Sequence, residues 1–192
     1  MSKLLKPAII ALAALFAASA QAGPLKRDPA GDILTLQNGA TVRLPVCHDS
    51  KGEKVRFSVA DHVFTDMRGP TSAWDAYSMY SVNGSQTILQ TSLLTKEPDT
   101  VTYLAEHECD HHRRGHIREA YLAERTGQPL SKPVHALELE ADCGAAQSLQ
   151  KQGWDEARLR KFFASVPHTE GTTTHPGTDE RLQMALSCLV PQ

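Results

Sequence analysis

Residues Tyr103–His116 read YLAEHECDHHRRGH, so four of the chain's nine histidines fall within one short stretch. Side chains four positions apart lie on the same face of an α-helix. His107 and His111 have this spacing, and Glu108 follows the first of them, which gives the pattern H-E-x-x-H. In this pattern the two imidazoles bind a zinc ion and the glutamate serves as a base. Leu104 falls on the same helical face, which predicts that the pair faces the protein interior.

The other two histidines of this stretch are predicted to lie outside the metal site. His112 and His116 are also four apart, but an arginine follows His112, so this second pair has no equivalent base. Both point away from His111 around the helix, His112 by about 100°. A third histidine ligand would require the longer pattern H-E-x-x-H-x-x-G-x-x-H. Gly115 comes one place too late for it and Ile117 stands where the histidine should be, so a site with three histidines is excluded.

A glutamate on a later helix is the expected third ligand. The segment Leu137–Ala146, LELEADCGAA, places Glu138 and Asp142 four positions apart across a small alanine. Glu138 would bind the metal, while Asp142 would accept a hydrogen bond from a ligand imidazole and hold its orientation. Glu140 points elsewhere and is expected to be solvated. An ordinary amphipathic helix with two surface acids is the alternative.

The first residues have the composition of an export signal. Met1–Ala22 combines two lysines, an apolar run and a small-x-small sequence at its end, which predicts cleavage after Ala22. The apolar run is shorter than the roughly 20 residues that a membrane-spanning helix needs. We therefore expect a periplasmic or secreted protein with no membrane anchor after cleavage. The formal net charge of −2 argues against a general nucleic-acid-binding function.

Four cysteines, Cys47, Cys109, Cys143 and Cys188, follow the signal segment. An even number of cysteines in an exported chain predicts two disulfide bonds, for which three pairings exist. Our first choice joins Cys47 to Cys109 and Cys143 to Cys188. The sequence contains no Cys-x-x-Cys pair, so a cysteine-based zinc site is not expected.

The remaining pattern predicts an α+β fold, with a small β-rich segment at residues 23–69 and one larger domain at residues 70–192. Segments that alternate apolar and polar residues flank Asn38-Gly39, which is typical of a hairpin with a type I′ turn. Ser85–Leu94 is predicted to form a further strand. Four helices are predicted, over about residues 100–124, 133–153, 155–165 and 178–189.

In combination, these motifs resemble a known group of enzymes. The pattern H-E-x-x-H at His107–His111 is followed by E-x-x-A-D at Glu138–Asp142 and by T-H-P-x-x-x-E-R at Thr174–Arg181. This order is similar to that of the gluzincin metallopeptidases of the CAAX-prenyl-protease and bacterial heat-shock-protease type. The resemblance covers roughly residues 71–189. The transmembrane helices of the large members have no counterpart in it, so the chain looks like the compact, soluble form, the minigluzincins.

The resemblance implies a zincin-like catalytic domain in which one zinc ion is held by His107, His111 and Glu138. Glu108 would then be the general base for peptide-bond hydrolysis, and His175 and Arg181 would stabilise the transition state or hold the site together. A peptide from an exported or envelope protein would lie along Ser85–Leu94, as along the edge strand of a sheet. From the residues alone, Arg181 has a simpler alternative, an ion pair with an acid such as Asp142.

Two other functions fit parts of the sequence. The protein could be a periplasmic zinc-binding or metal-buffering protein without catalytic activity, in which His112, His116 and His48 would contribute further sites. Alternatively, Cys109 could be a nucleophile with His112 as its partner. Cys109, however, points about 200° around the helix from the first ligand and is an expected disulfide partner. Glu108 favours the enzyme over the buffer, because a storage site has no use for a base.

Overall fold

Strands fill the first part of the chain and helices the second, so the predicted α+β class is confirmed. The computed structural model describes residues 24–60, 64–66, 69–71, 76–81, 83–172 and 174–190. The predicted export signal lies outside the described residues. The strands are β1 (Leu25–Lys26), β2 (Ile33–Thr35), β3 (Thr41–Arg43), β4 (Arg56–Val59), β5 (Phe64–Asp66), β6 (Gly69–Thr71), β7 (Ala76–Ser81) and β8 (Gly84–Leu89).

The described strands form three sheets. β1, β2 and β3 make an antiparallel sheet, β5 pairs with β6, and a third sheet has the order β4-β8-β7. The hairpin of β2 and β3 is as predicted, but its turn is not of type I′. That type needs a positive φ at both central residues, whereas Gly39 has a φ of 83° and Asn38 does not have a positive one. The loop is longer instead, and the Leu36 amide donates to the Ala40 carbonyl at 2.8 Å.

The strand predicted at Ser85–Leu94 is shorter than expected and does not lie at a sheet edge. β8 ends at Leu89, and a 3-10 helix covers Thr91–Thr95. β8 pairs with β4 in parallel and with β7 in antiparallel, so both of its sides are hydrogen-bonded. The predicted edge position is therefore wrong. The residue pattern of one strand carries no information about its neighbours in the sheet, so the sequence could not give this position.

The helix predicted to run to residue 124 is two helices separated by Gly115. This glycine has a left-handed φ of 80° and ends the first helix. A Cβ at this position would also lie 2.9 Å from the Ser50 hydroxyl, so glycine suits both the backbone and the space. The next helix starts at His116 as a separate element. The helices are α1 (Pro98–Arg114), α2 (His116–Thr126), α3 (Val134–Lys151), α4 (Glu156–Ser165) and α5 (Thr178–Ser187).

α1 is packed on two sides, which holds the H-E-x-x-H segment in place. On one side Val101, Ala105 and Cys109 share a helical face and pack with the N-terminal strands in a first hydrophobic cluster. On the other side Tyr103 packs with α3, α4 and α5 in a second cluster. Its ring stacks on that of Phe162 with 4.4 Å between centroids. The site residues on α1 therefore sit between two cores rather than on a surface helix.

Two disulfide bonds tie α1 and α3 to other parts of the fold, and the predicted pairing is confirmed. Cys47–Cys109 joins the N-terminal segment to α1, and Cys143–Cys188 joins α3 to the residue that ends α5. Among the helices of the described residues, none combines the length and the apolar character that crossing a membrane requires.

Candidate metal centre

Three side chains from two helices converge on one point of the structure. α1 contributes His107 and His111, and α3 contributes Glu138. The Nε2 atoms of the two histidines lie 3.2 Å apart, and the two carboxylate oxygens of Glu138 lie 3.3 and 3.4 Å from them. Within the described residues, this is the one group of His, Cys, Asp and Glu side chains close enough together to hold a metal ion.

The distances between the two imidazole nitrogens and the carboxylate oxygens of Glu138 fit a metal ion with short bonds. Ligands about 2.0–2.1 Å from a tetrahedral ion such as zinc stand about 3.4 Å from one another. The observed separations of 3.2, 3.3 and 3.4 Å lie at or just below this value. Two imidazole nitrogens at such a distance need a proton or a metal between their lone pairs. The cluster can therefore hold a metal ion without a large movement of its ligands.

α1 and α3 approach each other closely because Gly144 has no side chain. A Cβ on Gly144 would lie 2.1 Å from the Cγ atom of Asp110, so any larger residue would collide with α1. Asp110 is 6% exposed and pairs with Arg114, which leaves its carboxylate little room to move. The glycine thus allows the close helix contact through which Glu138 reaches the two histidines.

Asp142 lies behind His107, where the spacing along α3 places it. Nδ1 of His107 lies 2.9 Å from an oxygen of Asp142, so Nδ1–H donates to the carboxylate and Nε2 faces the other ligands. The Tyr103 hydroxyl donates to the same oxygen at 2.9 Å. Arg181 donates from Nε at 2.8 Å and from Nη2 at 2.7 Å. The carboxylate of Asp142 is 0% exposed and has partners on both oxygens.

The electrostatics of this group favour charge on both His107 and Asp142. Burial alone would lower the pKa of His107, but Asp142 and Glu138 outweigh it and raise that pKa to about 10. Burial would likewise raise the pKa of Asp142, but His107 and Arg181 bring it down to about 2. Burial also opposes the charge of Glu138, yet hydrogen bonds from His107 and His111 lower its pKa below the usual range. Without a metal, a proton on this cluster therefore supplies the positive charge that the carboxylates require.

His116 is not one of the three ligands, as predicted, but it lies beside the cluster in contact with His111. Its Nδ1 is 3.1 Å from Nδ1 of His111, and its Nε2 is 3.4 Å from Glu140. Glu140 also pairs with Lys132; its side chain is 31% exposed and, as predicted, it is not one of the three ligands. The orientation predicted for His116 assumed one continuous helix. The break at Gly115 places His116 next to His111 instead.

An open cavity of about 530 Å³ reaches the three ligands from the surface. Residues 76–78 of β7 form part of its wall, and the loop between α4 and α5 forms another part. Glu108 lines this cavity directly after the first ligand and is 8% exposed. His175 lines it from the loop, with Nδ1 3.0 Å from the Thr174 hydroxyl, and burial lowers its pKa. Glu108, the predicted base, and His175, predicted to act on the transition state, thus share one cavity with the ligands.

The remaining candidates do not belong to this cluster. His112 is 2% exposed, its burial lowers its pKa to about 4, and its Nε2 has no hydrogen-bond partner in the described part of the chain. His48 is exposed and forms a β-bridge with Lys54. Cys109 is in a disulfide bond, which removes the thiol that a cysteine nucleophile would need. The alternatives built on these side chains therefore find no support in the geometry.

Sequence reasoning missed three side chains that support the ligands, namely Tyr103, His116 and Glu140. Tyr103 could have been found, because it precedes His107 by four residues and so shares its helical face. His116 and Glu140 gave no usable signal. Their contact depends on the break at Gly115 and on the packing of α3, neither of which follows from spacing alone.

The site combines three side chains that could bind a metal, a carboxylate beside them and a cavity open to solvent. Such an arrangement can hold a metal ion and admit a second molecule to it. Comparison of the chain with protein-family models, with curated proteins and with solved structures found no match.

Proposed function

We propose that the protein is a zinc-dependent metallopeptidase of zincin-like fold that hydrolyses peptide bonds in exported or envelope proteins. The observation that carries this proposal is the position of Glu108. It follows a metal ligand in the sequence and lines the cavity that reaches all three ligands. A structural or storage site needs no carboxylate beside an open position. The same residues carry the resemblance to the gluzincins.

The donor set supports zinc as the metal. Two imidazole nitrogens and one carboxylate oxygen are the protein ligands of known types of catalytic zinc site, and they leave a position for a reacting molecule. All four cysteines are in disulfide bonds, so no thiolate is present to favour a softer ion. When bound, zinc supplies Lewis acidity, which polarises the peptide carbonyl and makes water more acidic.

Glu108 acts first as a general base and then as a general acid. Its carboxylate accepts a proton from the attacking water and passes it to the nitrogen of the leaving amine. The Ser78 hydroxyl donates to the Glu108 carbonyl at 3.3 Å, which ties the backbone of Glu108 to β7. This hydrogen bond therefore fixes the position of the Glu108 backbone relative to β7.

His175 and Arg181 have different roles in this proposal. His175 lines the cavity and donates a hydrogen bond to the carbonyl oxygen on which negative charge develops. Arg181 lines the same cavity, but two of its nitrogens bind Asp142. Its main role is to hold the carboxylate that orients His107.

An extended peptide would bind along β7 rather than along Ser85–Leu94. β7 pairs with β8 on one side, and no second partner strand occurs among the described residues. Part of β7 lines the cavity, so a peptide added on the side away from β8 would cross the metal ligands. Strand addition uses main-chain hydrogen bonds for affinity and leaves specificity to side-chain pockets.

A more enclosed pocket of about 350 Å³ adjoins the cavity and supports a preference among peptides. The two share Leu104, Thr169 and Arg181 in their walls. Phe162 and Phe163 also line the smaller pocket, which makes part of its wall apolar. A large apolar side chain next to the scissile bond would fill it. We therefore expect cleavage beside such residues.

The proposed compartment is the periplasm or the exterior of the cell. Two disulfide bonds persist in oxidising compartments and are rare in the cytosol. The composition of Met1–Ala22 independently predicts export. A zinc peptidase in this place would meet exported or envelope proteins as its substrates.

The substitution Glu108→Gln tests the proposed function. We expect zinc content equal to that of the wild type and peptide hydrolysis lower by at least about 10²-fold, because the general base is lost. Glu124→Gln, an exposed change on α2, is the matched control. Unfolded protein substrates and a peptide mixture would be digested, and mass spectrometry would locate the cuts. Undiminished hydrolysis by a zinc-loaded Glu108→Gln protein would show that the mechanism is wrong.

Metal stoichiometry separates the enzyme from the alternative of a metal buffer. The described residues offer one cluster of suitable ligands, and His48 and His112 are not part of it. We expect one tightly bound zinc ion per chain, removed by His107→Ala. Several weakly bound ions, insensitive to this change, would support the buffer.

A further inference from the structure

The two ligand histidines have different partners behind them. His107 is backed by the carboxylate of Asp142, whereas His111 is backed by a second imidazole, that of His116, with 3.1 Å between the Nδ1 atoms. His116 is 6% exposed, and its other nitrogen lies 3.4 Å from Glu140. An imidazole thus stands where ligand histidines usually meet a carboxylate, a backbone carbonyl or water.

The positions of the ring protons on His111 and His116 follow from the geometry. His111 directs Nε2 to the other ligands, so its Nδ1 must carry the proton when Nε2 binds a metal. That proton points to Nδ1 of His116, which must then be the acceptor. The proton of a neutral His116 is consequently on Nε2, where it faces the carboxylate of Glu140. With protons on Nδ1 of His111 and on Nε2 of His116, each proton faces an acceptor atom.

Two features hold His111, His116 and Glu140 in this arrangement. Gly115 ends α1 in a left-handed conformation, so His116 begins α2 within reach of His111. Lys132 pairs with Oε1 of Glu140 and leaves Oε2 to His116. The three supporting side chains thus come from α2, from α3 and from the segment between them.

We propose that His116 and Glu140 are positioning residues for the ligand His111 and that they set how tightly the site holds its metal. This inference rests on the proposed metal site. A hydrogen bond from Nδ1 fixes the orientation of the ring and makes Nε2 a stronger ligand. Loss of such an outer partner lowers metal affinity by roughly 10–100-fold in other sites, and the same range is expected for His116→Ala.

The dissociation constant for zinc, measured on the disulfide-bonded protein by competition with a chromogenic chelator, tests the proposal. His116→Asn places an amide oxygen near the position of Nδ1, so it keeps an acceptor and should stay within about threefold of the wild type. Glu140→Gln should weaken zinc binding by roughly 3–10-fold, because the anchor of His116 is weakened. His168→Ala and Glu156→Gln, whose side chains are 61% and 60% exposed, are the controls and should change nothing.

A spectroscopic readout separates positioning from loss of stability. Cobalt(II) in place of zinc gives an absorption spectrum that depends on the geometry of its ligands. We expect the spectrum to change in His116→Ala and to resemble that of the wild type in His116→Asn. Circular dichroism of both metal-free variants would establish that they are folded.

The outcomes distinguish this inference from the proposed function. If folded His116→Ala binds zinc as tightly as the wild type, or if the Asn variant loses as much affinity as the Ala variant, the inference is wrong. If these variants behave as expected but the wild type cleaves no peptide, the inference stands and the peptidase proposal fails. If peptide cleavage depends on Glu108 but zinc affinity does not change in the His116 variants, the peptidase proposal stands and the inference about His116 fails.

Discussion

Arg181 binds the buried carboxylate of Asp142 through two nitrogens, Nε at 2.8 Å and Nη2 at 2.7 Å. The same carboxylate accepts a hydrogen bond from His107 at 2.9 Å, so one aspartate on α3 connects α5 to the candidate metal centre. This pairing is the simpler of the two roles that the sequence offered for Arg181. Its contribution to the transition state stays a prediction.

Removal of the guanidinium should therefore destabilise the fold and weaken the metal site together. Arg181→Leu leaves the charge of Asp142 buried with fewer partners, which costs roughly 3–5 kcal/mol when a buried pair is broken. We also expect zinc affinity to fall by roughly 10-fold, because Asp142 no longer holds His107 as firmly. Urea unfolding and chelator competition measure the two effects. Arg160→Leu breaks a pair whose side chains are 52% and 60% exposed and should cost less than about 1 kcal/mol. Equal losses in both variants would contradict the prediction.

Gly144→Ala should destabilise the protein although alanine is the better helix former. In an exposed helix this change would gain about 1 kcal/mol, but here the added Cβ meets the carboxylate of Asp110 at 2.1 Å. Overpacking of this kind costs roughly 1–3 kcal/mol, and it would push α3 and Glu138 away from α1. The double variant Gly144→Ala with Asp110→Ala should recover much of the loss, because it removes the atoms that collide. Urea unfolding and zinc affinity of the two variants check this. A stabilised single variant would show that the helices are not in close contact.

The candidate metal ligands were predictable from the sequence because the relation within each pair is local. His107 and His111 lie one helical turn apart, and Glu138 and Asp142 have the same spacing on another helix. Helical periodicity determines which of these side chains share a face before any tertiary structure exists. That the two faces meet was an additional assumption, and the resemblance of the ordered motifs supplied it.

The errors of the sequence reading concern relations that no local pattern encodes. β8 lies in the middle of its sheet because β4 pairs with it in parallel, and β4 is separated from β8 in the chain by β5, β6 and β7. The contact of His116 with His111 depends on one left-handed residue, Gly115, inside an otherwise helical stretch. A glycine near a helix end is a known stop signal. The histidines on both sides of Gly115 nevertheless favoured the prediction of one continuous helix.

The stability of the metal-free protein should be highest in a window of pH set by His107 and Asp142. The pKa of Asp142 in the folded state is about 2, below its ordinary value of 3.8, so its contribution is complete above about pH 4 and lost as the pH falls toward 2. The pKa of His107 is raised from 6.5 to about 10, so its contribution is complete below about pH 6.5 and lost as the pH rises toward 10. Urea unfolding with a chelator present, from pH 2 to 10, measures both limbs.

A variant and the metal itself provide the controls for this window. Asp142→Asn should flatten both limbs, because it removes one group and the partner that raises the pKa of the other. Zinc affinity should increase with pH over the range in which the metal-free protein loses stability, since the proton on His107 must leave before the imidazole can bind a metal. Metal-free stability that rises between pH 7 and 10 would contradict the assignment.

The bond between Cys143 and Cys188 should be the first of the two disulfides to yield to a reductant. Its cysteines are half-buried, whereas Cys47 and Cys109 are 1% and 0% exposed, and thiol exchange requires access to a sulfur. The bond closes a loop with a sequence separation of 45 and joins α3 beside Asp142 to the residue that ends α5. Replacing both cysteines with serine should destabilise the protein by about 4 kcal/mol on the chain-entropy relation. It should also weaken zinc binding, because the two helices that hold the Asp142–Arg181 pair are no longer tied together. Limited dithiothreitol treatment followed by alkylation and mass spectrometry would give the order of reduction. Labelling of Cys47 and Cys109 first would show that exposure does not control it.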